Sequence, residues 1–145
     1  MTVLNTAAIK LSVRKAFEEI LKTTMVSQTP PVTCGFENMF VDPTKVVEWV
    51  QLTMTYGPDR PLVMGPTPRI ISSGFALIVV RVQSSSGTDR SDRLVGIAAS
   101  AYPYNTALAR DGVSVIIDTT DVVAGANDGA WWMVPMRVNW NVWNN

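Results

Sequence analysis

The chain has 145 residues, with 12 basic and 12 acidic side chains and no histidine. This length predicts one domain with a single core. The balanced charge gives no support for a long-range attraction to the phosphates of nucleic acid. Charged residues make up only 17% of the chain, compared with about 25% in typical proteins. We expect such a surface to be polar and uncharged, or to be covered by a partner.

The side chains that usually perform catalysis are scarce. Without histidine the chain lacks the commonest general base and zinc ligand, and Cys34 by itself forms no internal disulfide or multi-cysteine metal site. Asp118, Asp121 and Asp128 lie in "DTTDVVAGANDG", a composition typical of turns. We therefore predict no catalytic residue, no metal and no cofactor. An enzyme would need Asp118, Asp121 or Glu48 to meet in one pocket.

No segment predicts export or membrane insertion. Charged side chains interrupt the first 25 residues, which is unlike a signal peptide. The longest apolar run covers residues 75–80, far below the roughly 20 residues of a membrane span. We expect a soluble protein without a membrane partner.

The N-terminal third predicts one helix and two strands. Residues 6–22 carry apolar side chains at spacings of three and four, which is typical of an amphipathic helix, with Thr6 in the N-cap position. The prolines that follow end the helix, and a short strand is possible over 32–36. The alternation from Val50 to Tyr56 predicts the next strand.

The segment 57–69 holds four prolines and two glycines, which predicts a long ordered loop or an extended β-arm. Residues 75–80 are apolar on both faces, as expected for a strand in the middle of a sheet. A second helix is predicted over 89–102, beginning after Thr88, and a strand over 113–117 follows.

The chain ends on "MRVNWNVW", in which every second side chain is apolar. This alternation predicts a strand with one face on the core, formed by Met136, Val138, Trp140 and Val142. The element order predicts an α+β fold in a single domain 1–145. We expect a mainly antiparallel β-sheet with two α-helices packed on one face, plus the long Pro-rich loop or β-arm.

Outward tryptophans are the strongest hint of a partner. Trp49 and Trp143 break the alternation of their strands, and one of Trp131 and Trp132 is expected to face outward as well. They are either ordinary aromatics on the sheet surface or anchors at a subunit interface, where aromatics are enriched.

Taken in order, several segments resemble the tail terminator proteins of long-tailed bacteriophages of the siphovirus and myovirus type. The segments are the "LNTAAIKLSVRKAFEEIL" helix, the strand that leads into the Pro-rich excursion, the strand, turn and helix "GFALIVVRVQSSSGTDRSDRLVGIAASA", and the closing "GAWWMVPMRVNWNVW". The resemblance extends over nearly the whole chain.

The resemblance implies a structural virion protein without enzymatic activity. Its subunits would form a hexameric ring that caps the tail tube, ends tube polymerisation and joins the tail to the head-side connector or stopper protein at the neck. DNA would pass through the ring without sequence-specific binding, and assembly would occur in the host cytoplasm. The candidate residues for subunit or partner contacts are Trp49, Arg60, Leu62, Met64, Arg69, Trp131 and Trp143.

Three alternatives remain open from the sequence. The chain could be another phage neck or tail component, such as a head-completion or tail tube protein. It could be a small carboxylate enzyme or a monomeric adaptor of a host cell. Arg60 and Arg69 could meet acidic groups of the tube, line the channel, or simply be solvated in the loop.

Overall fold

The structure, a computed structural model, describes residues 6–28, 31–37, 39, 41–42, 46–61, 70–84 and 87–144. These residues form two helices and eight strands. The helices are α1 (Thr6–Val26) and α2 (Asp89–Ser100). The strands are β1 (Thr33–Gly35), β2 (Glu48–Tyr56), β3 (Arg60–Pro61), β4 (Ile70–Gln83), β5 (Ala107–Arg110), β6 (Val113–Val122), β7 (Ala126–Asp128) and β8 (Trp131–Asn144).

The strands form one sheet in the order β1-β2-β4-β8-β6-β5, with β3 beside β4 and β7 beside β8. Only β1 runs parallel to its neighbour, and the other described pairs are antiparallel. The longest pair is β4 with β8, which stay in register over 14 residues each. The prediction that residues 75–80 lie in the middle of the sheet is therefore confirmed.

The core lies between the two helices and one face of this sheet. The helices contribute a row of buried apolar side chains, namely Ile9, Val13, Phe17, Leu21, Met25, Leu94, Val95 and Ala98. On β8, the four alternating side chains from Met136 to Val142 are each at most 3% exposed, as the alternation predicts. The predicted α+β architecture, with both helices on one face of a mainly antiparallel sheet, is confirmed.

Tyr102 joins the end of α2 to α1. Its ring stacks on that of Phe17 with the centroids 4.9 Å apart, and its hydroxyl donates a 2.7 Å hydrogen bond to the Phe17 carbonyl oxygen. Burial raises the pKa of Tyr102. A neutral phenol thus links two helices that are far apart in sequence.

A glycine in β4 makes room for the largest core side chain of β8. Gly74 lies opposite Trp140, and a Cβ atom built on it would be 2.2 Å from the Thr55 carbonyl oxygen and 2.8 Å from the Trp140 ring. Only glycine fits this position, because the nearest atom belongs to backbone of the neighbouring strand.

Element boundaries differ modestly from the sequence predictions. Helix α1 continues to Val26, beyond the predicted end at residue 22, and α2 ends at Ser100 instead of 102. Thr88 does occupy the N-cap of α2, but its side chain makes no capping hydrogen bond. The short strands β3, β5 and β7 were not predicted. Part of the segment 57–69 forms β3, while residues 62–69 lie outside the described residues.

Candidate interaction surface

One face of the sheet has no helix packed on it within the described residues. We call it the open face, and it is formed by the odd-numbered residues of β2, β4 and β8. Its centre is apolar, with Phe75, Leu77, Met133 and Pro135 partly exposed around Val79, which is buried. Because an exposed apolar area often marks a site of contact with another protein, the open face is the leading candidate for contact with a partner.

Two predicted tryptophans meet at one end of the open face. The rings of Trp49 and Trp131 touch edge to face, with centroids 6.5 Å apart and planes at 82°. The Arg81 guanidinium lies 5.3 Å from the Trp49 ring and forms a 2.8 Å ion pair with Asp128. The buried indole N–H of Trp49 finds no hydrogen-bond acceptor among the described residues. This aromatic corner is a rigid group of the kind that anchors protein contacts.

The structure also resolves which of the two adjacent tryptophans faces outward. Trp132 packs against the hydrophobic core, and its ring occupies the space in which a side chain at Gly125 would lie. Trp131 is therefore the outward member of the pair, as the candidate set assumed.

A polar network lies across the middle of the open face. The Arg137 guanidinium stacks on the Phe75 ring at 4.0 Å, and its Nε donates to the Asn139 side-chain oxygen at 3.1 Å. The Asn139 amide in turn donates to the Thr119 hydroxyl at 2.7 Å. Sequence reasoning did not single out Phe75 as a surface residue. The signal was the two-sided apolar pattern of β4, which leaves one apolar face uncovered when helices pack only on the other.

Two further candidates, Arg60 and Trp143, lie at the opposite end of the face. In the register of the strands, Arg60 and Trp143 flank Ile71 from either side, about 10 Å apart across two strand spacings. Trp143 is 12 residues along β8 from Trp131, or about 40 Å. Leu62, Met64 and Arg69 lie outside the described residues. The described candidates thus form two groups rather than one site.

The carboxylates considered for catalysis do not meet. Glu48 forms a bidentate ion pair with Arg90, whose Nε donates a 2.7 Å hydrogen bond to the carboxylate. Hydrogen bonding to Glu48 raises the pKa of Arg90. Two strands separate Glu48 from Asp118 and Asp121, which is about 14 Å across the sheet. Within the described part of the chain no three potential ligands are grouped as a metal site.

Cys34 is a packed thiol. Its sulfur lies 3.9 Å from the Leu21 carbonyl oxygen, and burial raises the pKa of Cys34 to about 11. A thiol with this pKa is almost entirely protonated at neutral pH and is a weak nucleophile.

Neither helix of the described chain has the length and apolar character needed to cross a membrane.

Comparisons with known proteins complete this description. The model of one family, described as phage tail terminator protein, matches residues 12–140. No curated protein matches the chain. One of the solved structures that resemble it has a TM-score of 0.76 and 16% identity, with 92% of this chain and 94% of that one covered, which shows a shared fold. Since the family match spans most of its length, the chain belongs to the phage tail terminator family and is a structural protein of the phage tail that acts among other tail and head-side proteins.

Proposed function

We propose that this protein ends the growth of the phage tail tube by capping it as a hexameric ring. In the same position it forms the joint to the head-side connector or stopper protein at the neck. Family membership over residues 12–140 is the observation that carries this proposal. The role is structural and involves no catalysis, and the ring is assembled in the host cytoplasm.

The open face supports a role in assembly. Its apolar centre has no helix over it within the described chain, so burial against another protein would remove this area from water and stabilise the complex. A closed ring needs contacts in which one surface of a subunit fits a different surface of the next. The chain therefore needs two distinct lateral surfaces besides those for tube and connector.

Two groups of residues are proposed to make partner contacts. At one end of the open face, Trp49 and Trp131 supply rigid aromatic area. At the other end are Arg60 and Trp143. We propose that Leu62, Met64 and Arg69, which belong to the Pro-rich segment after Arg60, contact the tube or a neighbouring subunit. Together these are the seven candidate contact residues predicted from the sequence.

The ring is proposed to let DNA pass without reading its sequence. With 12 basic and 12 acidic side chains, the protein has no net attraction for the phosphate backbone that would hold DNA in place.

Another tail or neck component is the alternative, in particular a tail tube or head-completion protein. A tube subunit polymerises without limit, whereas a terminator stops at one ring. Purified protein that grows into long tubes by itself would favour the alternative.

The deciding experiment is electron microscopy of tubes grown from the cognate tube protein with and without this chain. We expect tubes of uniform length that carry a six-fold cap at one end and stop elongating. Open-ended tubes of unchanged length would refute the proposal.

Substitutions in the aromatic corner test the contact residues in the same assay. We expect Trp49→Ala together with Trp131→Ala to weaken capping at least tenfold, while Tyr104→Ala has no effect. Tyr104 is a matched control because it is an aromatic side chain that is 75% exposed and lies outside the open face. Equal capping by all variants would show that the aromatic corner makes no contact needed for capping.

A further inference from the structure

Strand β6 has an edge that no described strand pairs with. Strand β5 pairs with β6 only as far as Ile116, and Ile117 still bonds to the backbone of Thr106. From Asp118 to Val122, β6 continues alongside β8 on its inner side, while its outer side lacks a partner strand among the described residues. We call this stretch the β6 edge. Such an edge exposes unpaired backbone N–H and C=O groups and is normally covered or protected.

The β6 edge combines acidic and aliphatic side chains. Asp118 and Asp121 are exposed, and neither forms an ion pair with a described residue. Val122 and Val123 at its end are 55% and 51% exposed.

The edge is poorly suited to receive another strand. The register between β6 and β8 shifts between Ile117 and Thr119, which leaves Asp118 as an extra residue in a bulge. Bulges and charged side chains on an edge strand disfavour pairing with a further strand. Cover by a helix that carries positive charge is compatible with both features.

Helix α1 has a stripe of matching character on its outer side. Leu11, Lys15, Lys22 and Val26 fall within about 60° around the helix axis and point away from the buried side of α1. Leu11 and Val26 are 53% and 54% exposed, and neither lysine is ion-paired with a described residue. We call these four residues the α1 stripe. Glu18 and Glu19 border this sector on either side; Glu18 is partly buried and lies near Arg14, and Glu19 is ion-paired with Arg110.

Each of the two surfaces carries two like charges and two exposed aliphatic side chains. Lys15 and Lys22 are seven residues apart on a helix, which is about 10 Å. Asp118 and Asp121 lie within about 10 Å of each other on β6, where the bulge at Asp118 shortens the strand. The surfaces are therefore complementary in charge and in apolar content.

We propose that the α1 stripe of one subunit covers the β6 edge of the next subunit in the ring. This inference rests on the proposed function, because it names the lateral contact that the ring requires. The two surfaces belong to different parts of the subunit, so the contact is head to tail, as closure into a ring demands. The lysine ammonium groups bind the aspartates and donate to edge carbonyls, while the aliphatic side chains bury one another.

A zero-length cross-linker tests the contact directly. Carbodiimide joins a carboxylate to an amine without a spacer, and capped tubes made from a mixture of 14N- and 15N-labelled subunits reveal which cross-links connect different copies. We expect mixed-label peptides that join Asp118 or Asp121 to Lys15 or Lys22. Their absence, with other inter-subunit cross-links present, would overturn the inference.

Charge reversal provides a second test by tube capping. We expect capping to fall at least tenfold for Asp118→Lys with Asp121→Lys, and likewise for Lys15→Glu with Lys22→Glu, and to recover when all four changes are combined. The control, Asp92→Lys, adds positive charge at an exposed position outside the β6 edge that, like Asp118 and Asp121, forms no ion pair with a described residue. Thermal unfolding shows whether each variant is folded.

The outcomes separate this inference from the proposed function. If the wild-type protein caps tubes and both charge-reversed variants do so equally well, the inference is wrong and the terminator function stands. If the variants form rings that no longer bind the tube, the β6 edge contacts the tube protein and the inference is again overturned. If the wild-type protein leaves tubes open-ended, the proposed function is wrong, and the inference that rests on it is overturned with it.

Discussion

Replacement of Tyr102 by phenylalanine tests the link between the two helices. The substitution keeps the ring that stacks on Phe17 and removes only the hydroxyl, which donates a 2.7 Å hydrogen bond to the Phe17 carbonyl oxygen. Tyr102 is 1% exposed, so water cannot replace the lost partner. A hydrogen bond of this kind contributes about 1 kcal/mol to the free energy of unfolding near pH 7.

The same substitution has a different effect at high pH. Burial raises the pKa of Tyr102 well above its ordinary value of about 10. The folded state therefore keeps the phenol neutral while the unfolded state ionises it, and stability is lost as the pH rises above 10. At pH 11 this loss is about 1.4 kcal/mol in the wild-type protein and zero in Tyr102→Phe. The variant should then be as stable as the wild type, or more stable by about 0.4 kcal/mol.

Urea unfolding of both proteins from pH 7 to pH 11, followed by circular dichroism, measures this crossover. Tyr104→Phe is the control, because Tyr104 is 75% exposed and should show no pH-dependent difference from the wild type. A difference between Tyr102→Phe and wild type that stays constant across this range would refute the claim that burial holds Tyr102 neutral.

Three further substitutions or reactions probe local packing. Gly74→Ala should lower the free energy of unfolding by about 1–3 kcal/mol, the usual cost of overpacking, because the new methyl group would overlap the Thr55 carbonyl. Gly96→Ala in α2 should instead raise it by about 0.5–1 kcal/mol, since the added methyl group meets nothing within 4 Å. Both are measured by urea unfolding, and similar effects of the two changes would contradict the structure. Alkylation of Cys34 at pH 8 should be roughly 100-fold slower in the folded protein than in urea, because its pKa of about 11 lies two pH units above the ordinary 9.0; equal rates by mass spectrometry would show that the thiol is not buried.

Elements with a strong hydrophobic period could be predicted from the sequence. The alternation in β2 and β8 predicted which side chains are buried, and the three- and four-residue spacing of α1 predicted its core face, from Ile9 to Leu21. In each case one face of the element is apolar and the other is polar, so local sequence and global packing favour the same arrangement.

The short strands could not be predicted, because their stability comes from their neighbours. Strand β3 has two residues, β7 has three and β5 has four, which is too few for a periodic pattern to be recognised. Each exists because a long strand beside it offers unpaired backbone groups. The β6 edge follows from the same fact, since β5 is too short to cover all of β6.

For the candidate contact residues, the sequence could predict which side chains face outward but not which of them lie together. The break in alternation at Trp49 correctly pointed to an outward side chain, and the sequence left Trp131 and Trp132 as alternatives. Only the structure revealed that Trp49 touches Trp131 and that Arg60 and Trp143 lie at the far end. Between them, β4 is apolar on both faces while the helices cover only one. A subunit that folded for itself alone would have no reason to keep that second face apolar, because uncovered apolar area favours aggregation. Its retention over the central strands is most simply explained by burial against another protein in the assembled tail.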